Sequence, residues 1–341
     1  MTSYANVETI GLLVKKETTY GTPVVPAAAT DGVQLADIPT DEEGYLYGGP
    51  RSEQGSGLNR LQELPKNGRY VDLGNMVLEV KGAGAAYSAS VKPNCNISAL
   101  LTAGGFDEAV VATPGSEAVN YTPTAPTGTM ASLSAELYAR GEKWPLAGMY
   151  TDHVLSFKDG GPATFTFKGR GLVSATPSNV ALPAITYPQT GVLPPNATDV
   201  KFVLGSYLVG VVRELELSVK RTFDTPRVNL NAATGIAGFM WGPFDPSLRM
   251  VIETTTLPGT PFSSTSGVDP YSLFGQGQNV ACGFQVGSVQ YNRLKIMFPN
   301  GIYLTEAPKK SKNGSSALWE LTGAPRGITP VDAGWLKYSY D

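Results

Sequence analysis

The chain has 341 residues, of which 42% are apolar and 16% charged, and its formal net charge is −3. Such a chain is too long for one small domain and apolar enough to build a core, and it carries no basic footprint for gripping nucleic acid. Its 39 glycines and 26 prolines favour turns over helices, and its only cysteines, Cys95 and Cys282, make neither a metal spacing nor a disulfide framework. They are read as two reduced, packed thiols. The opening MTSYANVETIG has no basic-then-apolar leader, and no window approaches 18 uninterrupted apolar residues. Neither a secretion signal nor a membrane span is expected. The N-x-S/T sequons at Asn120, Asn196 and Asn313 then read as chance matches.

The first patterned stretch is KKETTYGTPVVP, residues 15–26. Gly21 breaks it, and Pro23 and Pro26 stiffen it, so residues 10–26 read as an extended, partly apolar arm. Residues 40–70 are polar and Gly-rich, with Leu58, Leu61 and Leu64 at every third position, and read as a long loop. In PNCNISALLTAGGF (93–106), Asn96 can cap, Ile97, Leu100 and Leu101 form one stripe, and Gly104-Gly105 stops the turn: a short helix.

Beyond it the periodicity is mostly two. In VLSFKDGGPATFTFKGRG (154–171), Leu155, Phe157, Ala163, Phe165 and Phe167 alternate with polar neighbours around a Gly-Gly-Pro turn, which predicts a hairpin with one wet face. Pro177, Pro183, Pro188, Pro194 and Pro195 read as a semi-stiff connection over 175–200. In RELELSVKRTF (213–223), Leu215, Leu217 and Val219 alternate with Glu214, Glu216, Ser218 and Lys220. A second short helix is expected over 229–238. In LKIMFPNGIYL (294–304), Asn300-Gly301 signals a hairpin turn. WLKYSYD (335–341) reads as a closing strand with Leu336, Tyr338 and Tyr340 on one face. The fold class is therefore mainly β with one clear helix, divided at the proline-rich stretch into β domains at 1–190 and 191–341. Both halves are hairpin-rich and of similar length, as a diverged duplication would leave them.

Catalytic chemistry finds little purchase. The single histidine, His153, stands beside Asp152, but no nucleophile-elbow pattern accompanies them. One His and two scattered Cys do not make a zinc site, and Asp41-Glu42-Glu43 lacks the alternating oxygens of a calcium loop, so it reads as a solvated charge run. KGAGAAYS (81–88) has Tyr87 where G-x-G-x-x-G needs its third glycine, and there is no G-K-[ST] loop. KKSKNGSS (309–316) reads as a solubilising lysine loop. No catalytic, cofactor-binding or metal-binding residue is assigned. The profile fits a subunit that works by assembling.

GLLVKKETTYGTP (11–23) resembles the opening of phage tail tube proteins, the major tail subunits of long, non-contractile-tailed phages. Further stretches are similar in the family's order: KPNCNISALLTAGGF (92–106) to its short helix ending in a glycine pair, residues 121–171 to its strand and hairpin progression, and 210–223 with 245–254 to paired strands of its second half. Met149 departs from the alanine that the family pattern has there.

The resemblance implies tail-tube β-sandwich or barrel domains, with subunits closing into rings that stack into a DNA-conducting tube in the virion. Lys16, Glu17, Tyr20, Gly21 and Pro23 would then belong to an arm docking on a neighbouring subunit. The 40–70 loop would reach the adjacent ring, anchored by Leu58, Leu61 and Leu64. Glu214 and Glu216, on a wet strand face, are candidate lumen acids that let DNA slide without sticking. About 24 inner strands at ~4.8 Å would close a ring of ~37 Å diameter, wide enough for a duplex. Three chains in a pseudo-sixfold ring are favoured over six. The implied partners are other copies of the chain, a tape measure protein and tail terminator and tip proteins, with no cofactor and no membrane. The alternatives are a capsid or tail decoration protein, or a carbohydrate-binding or adhesin module using Trp144, Trp241, Trp319 and Trp335.

Overall fold

The computed structural model describes residues 10–36, 40–46, 68–93, 97–125, 130–139, 141–158, 161–187, 201–204, 211–223, 227–228, 236–239, 241–254, 270–277, 279–313, 316–327 and 334–341. Their elements are β1 (Gly11–Lys16), β2 (Thr40–Leu46), β3 (Gly68–Glu79), α1 (Ile97–Ala103), β4 (Phe106–Val111), β5 (Ala118–Pro123), β6 (Leu133–Ala139), β7 (Glu142–Lys158), β8 (Thr164–Val173), β9 (Ser178–Asn179) and β10 (Lys201–Leu204). The second half adds β11 (Val211–Phe223), β12 (Arg227–Val228), β13 (Ile236–Gly238), β14 (Trp241–Thr254), α2 (Pro270–Gln276), β15 (Val280–Val286), β16 (Leu294–Leu304), β17 (Lys309–Asn313), β18 (Ser316–Pro325) and β19 (Lys337–Tyr340). The chain is mainly β, as its periodicity predicts. All strands except the β12–β13 pair belong to one 17-stranded antiparallel sheet.

The long strands form a ribbon in the order β2–β3–β8–β7–β11–β14–β18–β17. Length lets single strands serve several neighbours. The edge of β7 opposite β8 carries β6 along Glu142–Met149 and β11 along His153–Lys158. β6 in turn pairs with β1. The far end of β18 pairs with β16, which extends the sheet through β15 to β10 and through β19 to β5 and β4.

The alternating residues sort by face as expected, except that Ser218, on the polar side, is 4% exposed. Leu155, Phe157, Phe165, Phe167, Leu215, Leu217 and Val219 are buried, and their neighbours Ser156, Thr166 and Glu216 are not. Leu336, Tyr338 and Tyr340 are each 0% exposed, so the C-terminal strand is tied into the core. α1 forms where the apolar stripe predicts it. Ile97, Leu100 and Leu101 are buried, and Gly104 and Gly105 close it by donating to Leu100 O and Thr102 O.

Several expectations are corrected. Residues 40–70 are not loop throughout: Thr40–Leu46 pairs residue by residue with Gly68–Gly74. Leu58, Leu61 and Leu64 lie outside the described residues. Asn300-Gly301 makes no hairpin turn, because β16 runs straight through it. Phe298 and Ile302 pair with Cys282 and Val280, so three residues of β16 bulge opposite one of β15. Gly301 takes φ +75° there, and a Cβ would lie 2.5 Å from Val280 O, so only glycine fits the bulge. Within the lysine stretch 309–316, Lys309–Asn313 is not loop but strand β17, paired with β18 so that Asn313 stands opposite Ser316. Residues 236–238, expected in a helix, are a strand paired with β12, while a helix not expected forms at Pro270–Gln276.

The proposed division at residue 190 meets a continuous structure. β7 pairs with β11 and β5 with β19 across it, and one hydrophobic core includes residues from both halves. Part of the proline-rich stretch packs on the N-terminal segment: Thr186 N donates to Ala28 O, and Leu182 and Ile185 fill the space beside Gly11.

Candidate assembly surfaces

The E-x-x-Y-G stretch builds a lock within its own chain. Glu17 follows β1 directly and is 4% exposed. Its Oε1 accepts from Ser134 Oγ at 2.7 Å and Gly148 N at 2.9 Å. Its Oε2 accepts from Ser132 Oγ at 2.5 Å and Gly21 N at 2.8 Å. Four donors to one carboxylate offset the cost of burying its charge. Gly21, at φ +68°, turns the chain so that its N–H reaches back to Glu17.

Tyr20 then stacks on Tyr150 with ring centres 5.3 Å apart, and its hydroxyl accepts from Phe239 N at 2.9 Å. Burial, the larger effect, and Glu17 raise the Tyr20 pKa despite that bond. Glu17 and Tyr20 thus make these contacts within their own chain. β1 is a strand of the sheet, and its second edge meets residues 31–33. Lys16 and Pro23 are exposed, as is Val25 at 74%.

The polar face of the ribbon is a lattice of paired charges. Arg170 holds Asp72 with two hydrogen bonds of 2.5 and 2.6 Å across the β3–β8 pair. Glu214 lies 2.9 Å from Lys158 and 3.1 Å from Arg249, and Arg249 reaches Glu320 at 2.6 Å. Hydrogen bonds from Lys158 and Arg249 hold the Glu214 carboxyl below its usual range. Glu214 and Glu216 share the wet face, as the alternation predicts. Two cations, Lys158 and Arg249, oppose Glu214 there. Glu216 is exposed and sits in register with Arg249 and Ser156. Asp152 lies on this face too. Burial raises its pKa to about 6, against the opposing pull of Lys168 and Lys220.

His153 points the other way. It is 1% exposed among Phe106, Phe165, Phe167 and Tyr338, with Nε2 2.9 Å from the Tyr338 hydroxyl. Desolvation lowers its pKa to about 3, so it stays neutral. Asp152 and His153 thus face opposite sides of one strand and form no dyad. Among the described residues, no cluster of three or more His, Cys, Asp or Glu could hold a metal. Cys282 is buried, which pushes its thiol pKa far up, and Cys95 lies outside the described residues.

Trp319 and Trp335 are buried and form no open platform for a sugar, and Trp144 is half-buried. No helix among the described residues is long and apolar enough to cross a membrane. No protein-family model matches the sequence, and no curated protein matches it.

Proposed function

We propose that this chain is a structural virion protein, the subunit of a phage tail tube, which assembles into stacked rings through which DNA is ejected into the host. The reading rests on one agreement between sequence and fold. The stretches that resemble the family form the elements the resemblance assigns, in the same order: strand β1, helix α1 with its glycine pair, the β7–β8 hairpin, and the β11–β14 pair.

The ribbon adds support. It offers eight consecutive strands with a core face and a polar face, and three copies would supply about 24 strands, the number a duplex-wide ring requires. Closure would remove the free edges that otherwise aggregate. A polar face of paired charges gives DNA neither a cationic grip nor a strong repulsive field. Tape measure, terminator and tip proteins are the partners this role entails.

Negative-stain electron microscopy of the concentrated protein tests the reading. Hollow tubes or annular rings are expected, with three subunits in end-on averages. Globular particles at every concentration, with and without an added tail-tip complex, would remove it.

A further inference from the structure

A second, smaller core stands apart from the main one. Met130, Tyr150, Leu172 and Phe239 are buried together there, with Tyr20 and Tyr70 packed against them. Tyr70, Leu172 and Tyr150 sit on the neighbouring strands β3, β8 and β7. Tyr20 and Phe239 come from two segments outside the ribbon: the turn after β1, and the residue that follows β13. Among the described residues, β12 and β13 pair with each other and not with the large sheet. No residue of 17–24 or 236–239 belongs to the main core, so both segments can leave without emptying it.

The two segments hold each other. Phe239 N–H donates to the Tyr20 hydroxyl at 2.9 Å. Gly238, at φ +137°, lies so close to the Tyr20 ring that a Cβ there would be 2.5 Å from it. Phe239 meets the Tyr70 ring edge-on at 6.1 Å and lies 5.9 Å from the Arg170 guanidinium, which Asp72 fixes in place.

Glu17 sets the position of Tyr20. Its Oε2 accepts from Gly21 N, which closes the turn that carries the ring. Its Oε1 accepts from Gly148 N, and a Cβ on Gly148 would lie 3.2 Å from that same ring. Carboxylate, ring and Phe239 amide thus form one line of contacts from residue 17 to residue 239. Without the closed turn, Tyr20 does not meet Phe239. Without Phe239, Tyr20 loses both its hydrogen-bond donor and part of its cover. Segments whose contacts are mutual in this way gain and lose order together, and the coupling is reciprocal.

We propose that residues 17–24 and 236–239 are the two halves of one clasp, which opens and closes as a unit while the ribbon stays folded. Closed, it covers Tyr70, Tyr150 and Leu172. Open, it presents these side chains beside Arg170, an apolar surface edged by a cation. The device lies within a single chain and does not rest on the assembly reading.

Two backbone amides report on the two halves. Gly21 N–H donates to Glu17 and Phe239 N–H donates to Tyr20, so each exchanges with solvent when its own half opens. Hydrogen exchange is followed on the full chain at single amides, by mass spectrometry with electron-transfer fragmentation, across a series of low urea concentrations. One shared opening is expected: equal protection and equal urea dependence at Gly21 and Phe239, both smaller than at the amides of β7 and β8. Phe239→Ala leaves the Glu17 carboxylate and its donors in place, yet it should speed exchange at Gly21 at least about tenfold. Glu17→Gln should speed exchange at Phe239 to a similar degree, as reciprocity requires. Circular dichroism checks that each variant folds, and Phe239→Leu, a milder change, carries the same test if Phe239→Ala does not.

An unchanged rate at Gly21 in the Phe239 variant would overturn the clasp, because the halves would then open separately. Protection at both amides equal to that of β7 and β8 would also overturn it, because the segments would then open only with the whole fold.

Discussion

Glu17 and Gly148 are 131 residues apart in sequence and 2.9 Å apart in the fold, with the Gly148 N–H donating to Glu17 Oε1. Each oxygen of Glu17 receives one backbone N–H and one serine hydroxyl. A hydroxyl can turn and accept, but an N–H cannot. Glu17→Gln must therefore aim its NH2 at a backbone donor whichever way the amide is turned. The expected loss is about 2–4 kcal/mol in urea denaturation, against about 1 kcal/mol for Tyr20→Phe, which keeps the stack on Tyr150 and loses one hydrogen bond. Equal stability of Glu17→Gln and the parent would show that the lock does not hold the N-terminal strand.

His153 makes the fold acid-sensitive. Its pKa is lowered to about 3 by burial, while the unfolded imidazole titrates near ~6.5. The stability tied to its neutrality is complete above pH ~6.5 and drains as pH falls toward ~3, because only the unfolded chain takes the proton. The paired variant His153→Phe/Tyr338→Phe removes the proton site together with the hydroxyl that would otherwise be stranded. Its stability should vary less steeply with pH across that window, by up to about 1.4 kcal/mol per pH unit. An unchanged slope would place the acid sensitivity elsewhere.

Asp152 works in the opposite sense from the other side of the same strand. Its pKa is raised to about 6, so the fold binds its proton more tightly than the unfolded chain does. Nothing is lost below ~4, and the cost of ionisation grows as pH rises through about 6. Asp152→Asn should stabilise the protein by about 2 kcal/mol at pH 8 and by nothing at pH 4. Thermal melts at both values decide this, and a constant difference would mean that packing, and not charge, is responsible.

What was legible in the sequence follows from what is local. Alternation in 154–171 and 213–223 gave the right strands and the right buried residues, because one face of each meets the core. Asn300-Gly301 misled because a turn signal was read without its surroundings. Pairing of β16 with β15 on both sides carries the strand through it as a bulge. Asn313, at the end of the lysine stretch, does pair across a hairpin with Ser316. The lock on Glu17 could not be read at all, since Ser132, Ser134 and Gly148 come 115–131 residues later and carry no pattern of their own. The pairing of strands across residue 190 was hidden for a related reason. The prolines mark a real change in the chain, but the strands beyond them return to the same sheet.

Two glycines with similar dihedral angles should respond differently to alanine. Gly21 at φ +68° has open space where a Cβ would go, and Gly301 at φ +75° has Val280 O at 2.5 Å. Gly21→Ala meets only the backbone penalty, about 1 kcal/mol. Gly301→Ala adds a clash with backbone that cannot rotate away and should cost about 3 kcal/mol or more. Denaturation midpoints of the two variants measure this. Equal losses would mean that the β15–β16 bulge gives way easily.

Glu214→Lys combined with Glu216→Lys tests the polar face in its proposed role. The first change places a third cation beside Lys158 and Arg249, and the second adds another two residues along the strand. Glu214 is 30% exposed, so solvent screens the new repulsion, and a stability loss of about 1 kcal/mol or less is expected, with assembly intact. The electrostatic balance changes more, because a charge-paired wall becomes a cationic one. Double-stranded DNA should then be retained by assembled tubes at low salt and released as salt rises, which is the signature of phosphate contacts. Fluorescent-DNA retention on the tubes, measured across salt concentrations, reads this directly. Tubes of the double variant that pass DNA as the parent does would show that this face does not line the channel.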